Sequence, residues 1–218
     1  HLSLRRQRQM CIRDRLYTDV ANAAFFTIFY VPMVPIIIFI FKKDFLHWSV
    51  WPSVILCLIG GYLLTNFQDA TIRLGDSLVV LGALFWSTHI IFTGMIIKKY
   101  NLPLTIGAIQ TLLVALFSFI MGLFSEEFVI VNILNEIDSI LYAGILSGGF
   151  AFVLQIYAQR NITPAPAAII FSLEGVFATI AAWFLLNQIL GINNLLGCFF
   201  ILSGVLLSQL VPLIRKAS

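Results

Sequence analysis

The chain has 218 residues, of which 60% are hydrophobic and only 11% charged, with a formal net charge of +3. A soluble domain of this length needs a polar surface that these residues cannot supply, so a water-soluble globular fold is excluded. Three cysteines (Cys11, Cys57, Cys198) are too few and too scattered for a disulfide framework or a metal site.

The first fifteen residues carry the basic excess. Arg5 to Asp14 (Arg-Arg-Gln-Arg-Gln-Met-Cys-Ile-Arg-Asp) resembles the translation of a sequencing-library adapter. Residues 1–15 are therefore expected to be a non-native, adapter-derived segment, outside fold reasoning, with the natural sequence upstream of Leu16 lost. Without them eight Lys/Arg stand against nine Asp/Glu, and nothing basic remains to argue for a nucleic-acid partner.

From Leu16 onward seven apolar stretches are each about long enough for a helix to cross ~30 Å of hydrocarbon. They run Val20–Phe41, Val50–Leu64, Ser77–Ile97, Leu104–Phe124, Ile140–Ala158, Ala165–Leu186 and Leu190–Leu213, the second being short. No period-two alternation suggests barrel strands. The spacing predicts an all-α integral membrane protein with short connections. Cys57 and Cys198 lie within apolar runs, where a cysteine is usually a small packing residue. Trp48 and Trp51 read as interfacial anchors.

Loop charges set an orientation. The connections with Lys42 and Lys43, Lys98 and Lys99, and Arg160, and the tail with Arg215 and Lys216, fall on one side. The other side holds Arg73 with Glu126, Glu127, Glu136 and Asp138. The positive-inside rule then puts the C-terminus in the cytoplasm of a multi-pass protein of the cell (inner or plasma) membrane.

The first two stretches align with the last two. Thr18 falls on Thr163, Ala23 on Ala168 and Thr27 on Ser172, each 145 residues apart. After a two-residue slip Gly61 falls on Gly204, and Leu63 and Leu64 on Leu206 and Leu207. Three stretches lie between the copies, so a unit of five helices accounts for the pattern. An odd number of helices inverts successive units, as in many secondary transporters.

Particular segments carry a family resemblance. Gly148-Gly149-Phe150-Ala151-Phe152-Val153-Leu154-Gln155-Ile156-Tyr157-Ala158-Gln159-Arg160 resembles the eighth helix of the EamA family of the drug/metabolite transporter superfamily. Thr163 to Gln188, with Pro166 to Glu174 and Ala181-Ala182-Trp183, is similar to its ninth, and Gly197 to Leu207 to its tenth. Gly75-Asp76, opening a helix with Trp86, resembles the start of its second half. The resemblance implies a ten-helix, inverted-repeat (5+5) transporter of which seven helices remain. Residues 16–66 would be the end of the first repeat (helices four and five), and 75–212 the complete second repeat (helices six to ten). Gln188 stands where the family more often has Glu, so a role tied to that carboxylate does not carry over.

Candidate binding or coupling residues follow. Glu174 lies midway along its stretch, where a charge costs roughly 2.5–3.5 kcal/mol on insertion scales and so faces a cavity or a partner. It is a candidate to carry a proton coupled to transport; the alternative is a Glu that ties two helices together. Gly82, Trp86, His89 and Thr93 share one helical face, offering a small residue for close approach, an aromatic wall and two hydrogen-bonding groups. Gly148, Phe152, Gln155 and Gln159 share another; Gln155 is the deeper glutamine, and Gln159 is expected to bond loop backbone. Gln110, Tyr157 and Trp183 are weaker candidates.

No phosphate-cradling glycine loop, metal-ligand motif or nucleophile–base pair occurs in the sequence, so neither enzyme activity nor a cofactor or metal is expected. The reading is a secondary transporter, permease or exporter moving a small organic metabolite or drug-like solute by alternating access. Its partners would be membrane lipid, the solute and protons, and a homodimer is compatible with it. The alternative is a non-transporting membrane scaffold or accessory protein.

Overall fold

The computed structural model describes residues 20–42, 46–65, 74–125, 130–186 and 189–217. The N-terminal segment, Thr18, Arg73, Glu126, Glu127 and Gln188 lie outside them. Among the described residues every regular element is a helix. In order these are α1 (Val20–Thr27), α2 (Tyr30–Lys42), α3 (Val50–Leu64), α4 (Leu74–Tyr100), α5 (Pro103–Ser125), α6 (Ile130–Asn135) and α7 (Ile137–Leu141). A π-helical segment (Tyr142–Ala151) follows, then α8 (Phe152–Gln159), α9 (Pro164–Phe171), α10 (Leu173–Leu186) and α11 (Ile192–Ala217).

Six described helical spans are long and apolar enough to cross a membrane: Ala24–Phe41, Asp76–Tyr100, Pro103–Phe124, Ile137–Gln159, Pro164–Leu185 and Ile192–Ile214. The shorter α3 has 15 residues, roughly 22 Å of rise. Every stretch expected from the sequence thus falls on helix, in an all-α membrane fold. α4 outruns the expected Ser77–Ile97 at both ends because its termini are polar. Asp76 sits in its first turn and Lys98 and Lys99 in its last, charges that suit the helix dipole but interrupt an apolar run.

Local chemistry fixes the connections. Asn101 takes φ 57°, the left-handed conformation that ends helices, and its N–H donates to the Ile97 carbonyl at 2.9 Å. Pro103 then opens α5, where a missing N–H costs nothing. Thr163 is extended (φ −75°, ψ 152°) ahead of Pro164, so α9 starts there.

The chain divides into two compact units, His1–Ile91 with Thr163–Ser218, and Phe92–Ile162. In the first, α3 and α11 form the most extensive helix pair, and α9 packs against α2, α3 and α11. Small residues let the backbones of α3 and α11 approach, as membrane helix pairs require. A Cβ on Gly197 would stand 2.8 Å from the Gly60 carbonyl oxygen, and one on Gly204 2.8 Å from that of Ser53. Around this notch Cys57, Ala165, Ala168, Ile169 and Ile201 are wholly buried. In the second unit α5 packs on α8 and the π segment. Helices of each unit carry many exposed Leu, Ile and Phe, suited to lipid.

Gly197→Leu is expected to destabilise the protein by roughly 1–3 kcal/mol or more through overpacking. Gly82→Ala meets no atom within 4 Å and is expected to be neutral or stabilising by up to about 1 kcal/mol. Thermal unfolding in detergent checks the pair; equal midpoints would contradict the notch.

Candidate functional site

Two spans of the first unit are interrupted near their middles. Between α1 and α2 the N–H groups of Ile28 and Phe29 donate to the carbonyls of Phe25 and Phe26, three residues back instead of four. Between α9 and α10, Ser172 N–H donates to Ile169 and Gly175 N–H to Ser172 in the same tightened manner. The two interruptions lie one residue away from the 145-residue offset that the sequence alignment gives.

Residues just past the two interruptions influence each other electrostatically. Tyr30 opens α2 and Glu174 lies in the first turn of α10. The Tyr30 phenol, itself buried, is within electrostatic range of the Glu174 carboxylate and the Cys57 thiol. Ser172 Oγ donates to Cys57 Sγ at 3.4 Å and to the Ile169 carbonyl at 2.6 Å. Ser87 of α4 donates to its own helix at Ala83 (2.7 Å) and reaches the Tyr30 carbonyl at 3.4 Å. Glu174 itself is exposed.

Next to Ser87, the Trp86 and His89 rings stack with centroids 5.1 Å apart and planes 17° from parallel. His89 Nε2 is buried with no hydrogen-bond partner. Trp86 and His89 of the sequence-derived face thus form an aromatic pair, but a Cβ on Gly82 would meet no atom within 4 Å, so Gly82 is not a point of close approach.

Thr93 and Gln155 belong to the second unit. Thr93 is buried, and its hydroxyl accepts a hydrogen bond from the Gln110 amide at 3.2 Å, tying α4 to α5. Gln155 is half-buried, and its Nε2 has no partner. Gln159, expected to bond loop backbone, is instead 1% exposed with neither amide atom paired. Its burial at the end of α8, rather than in the following turn, is what removes it from the loop.

Tyr30 escaped the sequence reading because a tyrosine in an apolar run looks like packing. The usable signal was its position: it stands 144 residues before Glu174, one short of the 145-residue offset that joins Thr27 to Ser172. Among the described residues no group of three or more His, Cys, Asp or Glu is placed to hold a metal ion.

Apolar helical spans long enough to cross a membrane mark a multi-pass membrane protein. Known proteins agree. The EamA-like transporter family matches residues 73–210, and the chain belongs to that family. It is 29% identical over 194 residues to a protein of Archaeoglobus fulgidus named an uncharacterized transporter, covering 89% of this chain and 62% of that one. The uncharacterized transporter YoaV of Bacillus subtilis is 27% identical over 169 residues, covering 74% of this chain and 55% of its own length. The chain thus spans less than two thirds of either relative. A solved crystal structure superimposes with a TM-score of 0.78 over 91% of this chain and 70% of its own, at 14% identity, and shares the fold.

Thr93→Val leaves the Gln110 amide without its acceptor. A loss of about 0.5–1.5 kcal/mol is expected in thermal or denaturant unfolding, and none if water replaces the hydroxyl at no cost.

Proposed function

We propose that the protein is a secondary transporter that moves a small organic metabolite or drug-like solute by alternating access. The observation that carries this reading is the convergence of two interrupted spans on Tyr30, Cys57, Ser172 and Glu174. Helix interruptions in corresponding positions of two halves are a general pointer to a transporter's binding site. In this reading α1–α3 close a first five-helix repeat, residues 75–212 form a second in inverted orientation, and each interruption is a hinge.

The residues take distinct roles. Glu174 supplies a carboxylate that binds a cationic group or a proton, with the Tyr30 phenol beside it. Trp86 and His89 form an aromatic wall, with His89 Nε2 buried and unpaired behind it. In the second unit, Gln155 is a separate candidate for solute contact, and Thr93 holds Gln110 in place. The C-terminus lies in the cytoplasm of the cell membrane, since the basic residues flank the spans on that side.

Vesicles bearing the protein, tested with a solute panel under an imposed pH gradient, examine this assignment. Glu174→Gln is expected to remove flux or its pH dependence at unchanged protein abundance, and Tyr30→Phe to lower flux by about tenfold or less, the worth of one hydrogen bond. Normal flux in both would overturn the site; no flux from any solute would favour the scaffold reading.

A reporter fused after Ser218 is expected to be active only if it functions in the cytoplasm. Alkaline phosphatase activity from that fusion would invert the orientation.

A further inference from the structure

The basic residues of the second unit gather at one of its ends. Lys98 and Lys99 lie in the last turn of α4, and Arg160 caps the end of α8. α5 brings the two places to one level. It begins at Pro103, just past the end of α4, and near its start it meets α8 near its end. A Cβ on Gly107 would stand 2.9 Å from Val153 Cγ2 and 3.5 Å from Ile156 Cδ1. At 1.5 Å per residue, Leu102 lies about 8 Å from that contact toward the start of α5, and Arg160 roughly 6–10 Å from it toward the end of α8.

The described acids of the unit are at its other end. Glu136 and Asp138 stand at the start of the span that closes at Gln159, roughly 30 Å of helix from Arg160. Lys98, Lys99 and Arg160 are all exposed, so no described carboxylate of the unit compensates their charge. Lys99 Nζ lies 5.1 Å from the centroid of the Tyr100 ring. Tyr100, Leu102 and Leu104 are exposed beside the cations. An amphipathic ring at the end of an apolar span suits the membrane interface, and long basic side chains there reach to the level of the headgroups. Cations bordered by exposed apolar side chains match a molecule with an anionic head and a hydrocarbon tail. A small soluble anion has nothing to place against Leu102 and Leu104.

We propose that Lys98, Lys99 and Arg160 hold the phosphate headgroup of an anionic phospholipid, with its acyl chains against Leu102 and Leu104. The proposal stands independently of the transport reading, since it uses none of the residues assigned to the solute.

Native mass spectrometry of the detergent-purified chain, titrated with phosphatidylglycerol or with phosphatidylcholine of the same acyl chains, reads the preference directly. Phosphatidylglycerol is expected to bind about tenfold more tightly or better, and its stabilising effect in thermal unfolding to shrink as salt rises. The combined Lys98→Gln, Lys99→Gln and Arg160→Gln variant is expected to lose that preference. Lys42→Gln with Arg215→Gln and Lys216→Gln removes the same charge elsewhere and is expected to keep it. If the combined variant does not fold, Arg160→Gln alone is expected to weaken phosphatidylglycerol about fivefold. An unchanged preference in the first set of variants, or an equal loss in both sets, would overturn the site. Displacement of phosphatidylglycerol by millimolar inorganic phosphate would overturn the lipid as its occupant.

Discussion

Hydrocarbon offers no hydrogen bonds to the backbone, and the structure follows from that constraint. Each span must satisfy its N–H and C=O groups internally, which makes regular α-helix the default and every departure from it costly. The departures here are few and located. The interruptions at Ile28–Phe29 and at Ser172 keep their N–H groups bonded, three residues back rather than four. The Ser172 hydroxyl adds a bond to the Ile169 carbonyl and another to Cys57.

The same constraint explains how the first unit is held. Lipid removes the usual hydrophobic drive between helices, so α3 and α11 rely on close backbone approach. Gly60, Gly197 and Gly204 permit it, and the buried alanines of α9 extend the close packing to a third helix. The Thr93–Gln110 bond gives the second unit one matched polar tie between α4 and α5.

Much of the fold was legible in the sequence, because span length and apolar run are nearly the same quantity in a membrane protein. The polar ends of α4 were not, since Asp76, Lys98 and Lys99 belong to the helix while breaking its apolar run. The ten-residue π segment was not legible either. Its glycines, Gly144, Gly148 and Gly149, signal weak α propensity but not which alternative winding replaces it. At the site, Glu174 and the Trp86–His89 pair could be read from residue type and helical spacing. Tyr30 was harder to read, because its electrostatic coupling to Glu174 arises between spans 144 residues apart. Gln159 was misread because proximity to a loop in sequence says nothing about burial.

The π segment has a consequence for azimuth. Its bonds close rings five residues wide instead of four, so each residue turns the chain through a smaller angle than in an α-helix. From Tyr142 to Ala151 that lag accumulates before α8 begins. The compass bearing of Phe152, Gln155 and Gln159 relative to α7 is therefore set by how many residues are wound this way. A shift of the π–α boundary by a few residues would swivel both glutamines to a new heading while every side chain on α8 stayed in its own rotamer.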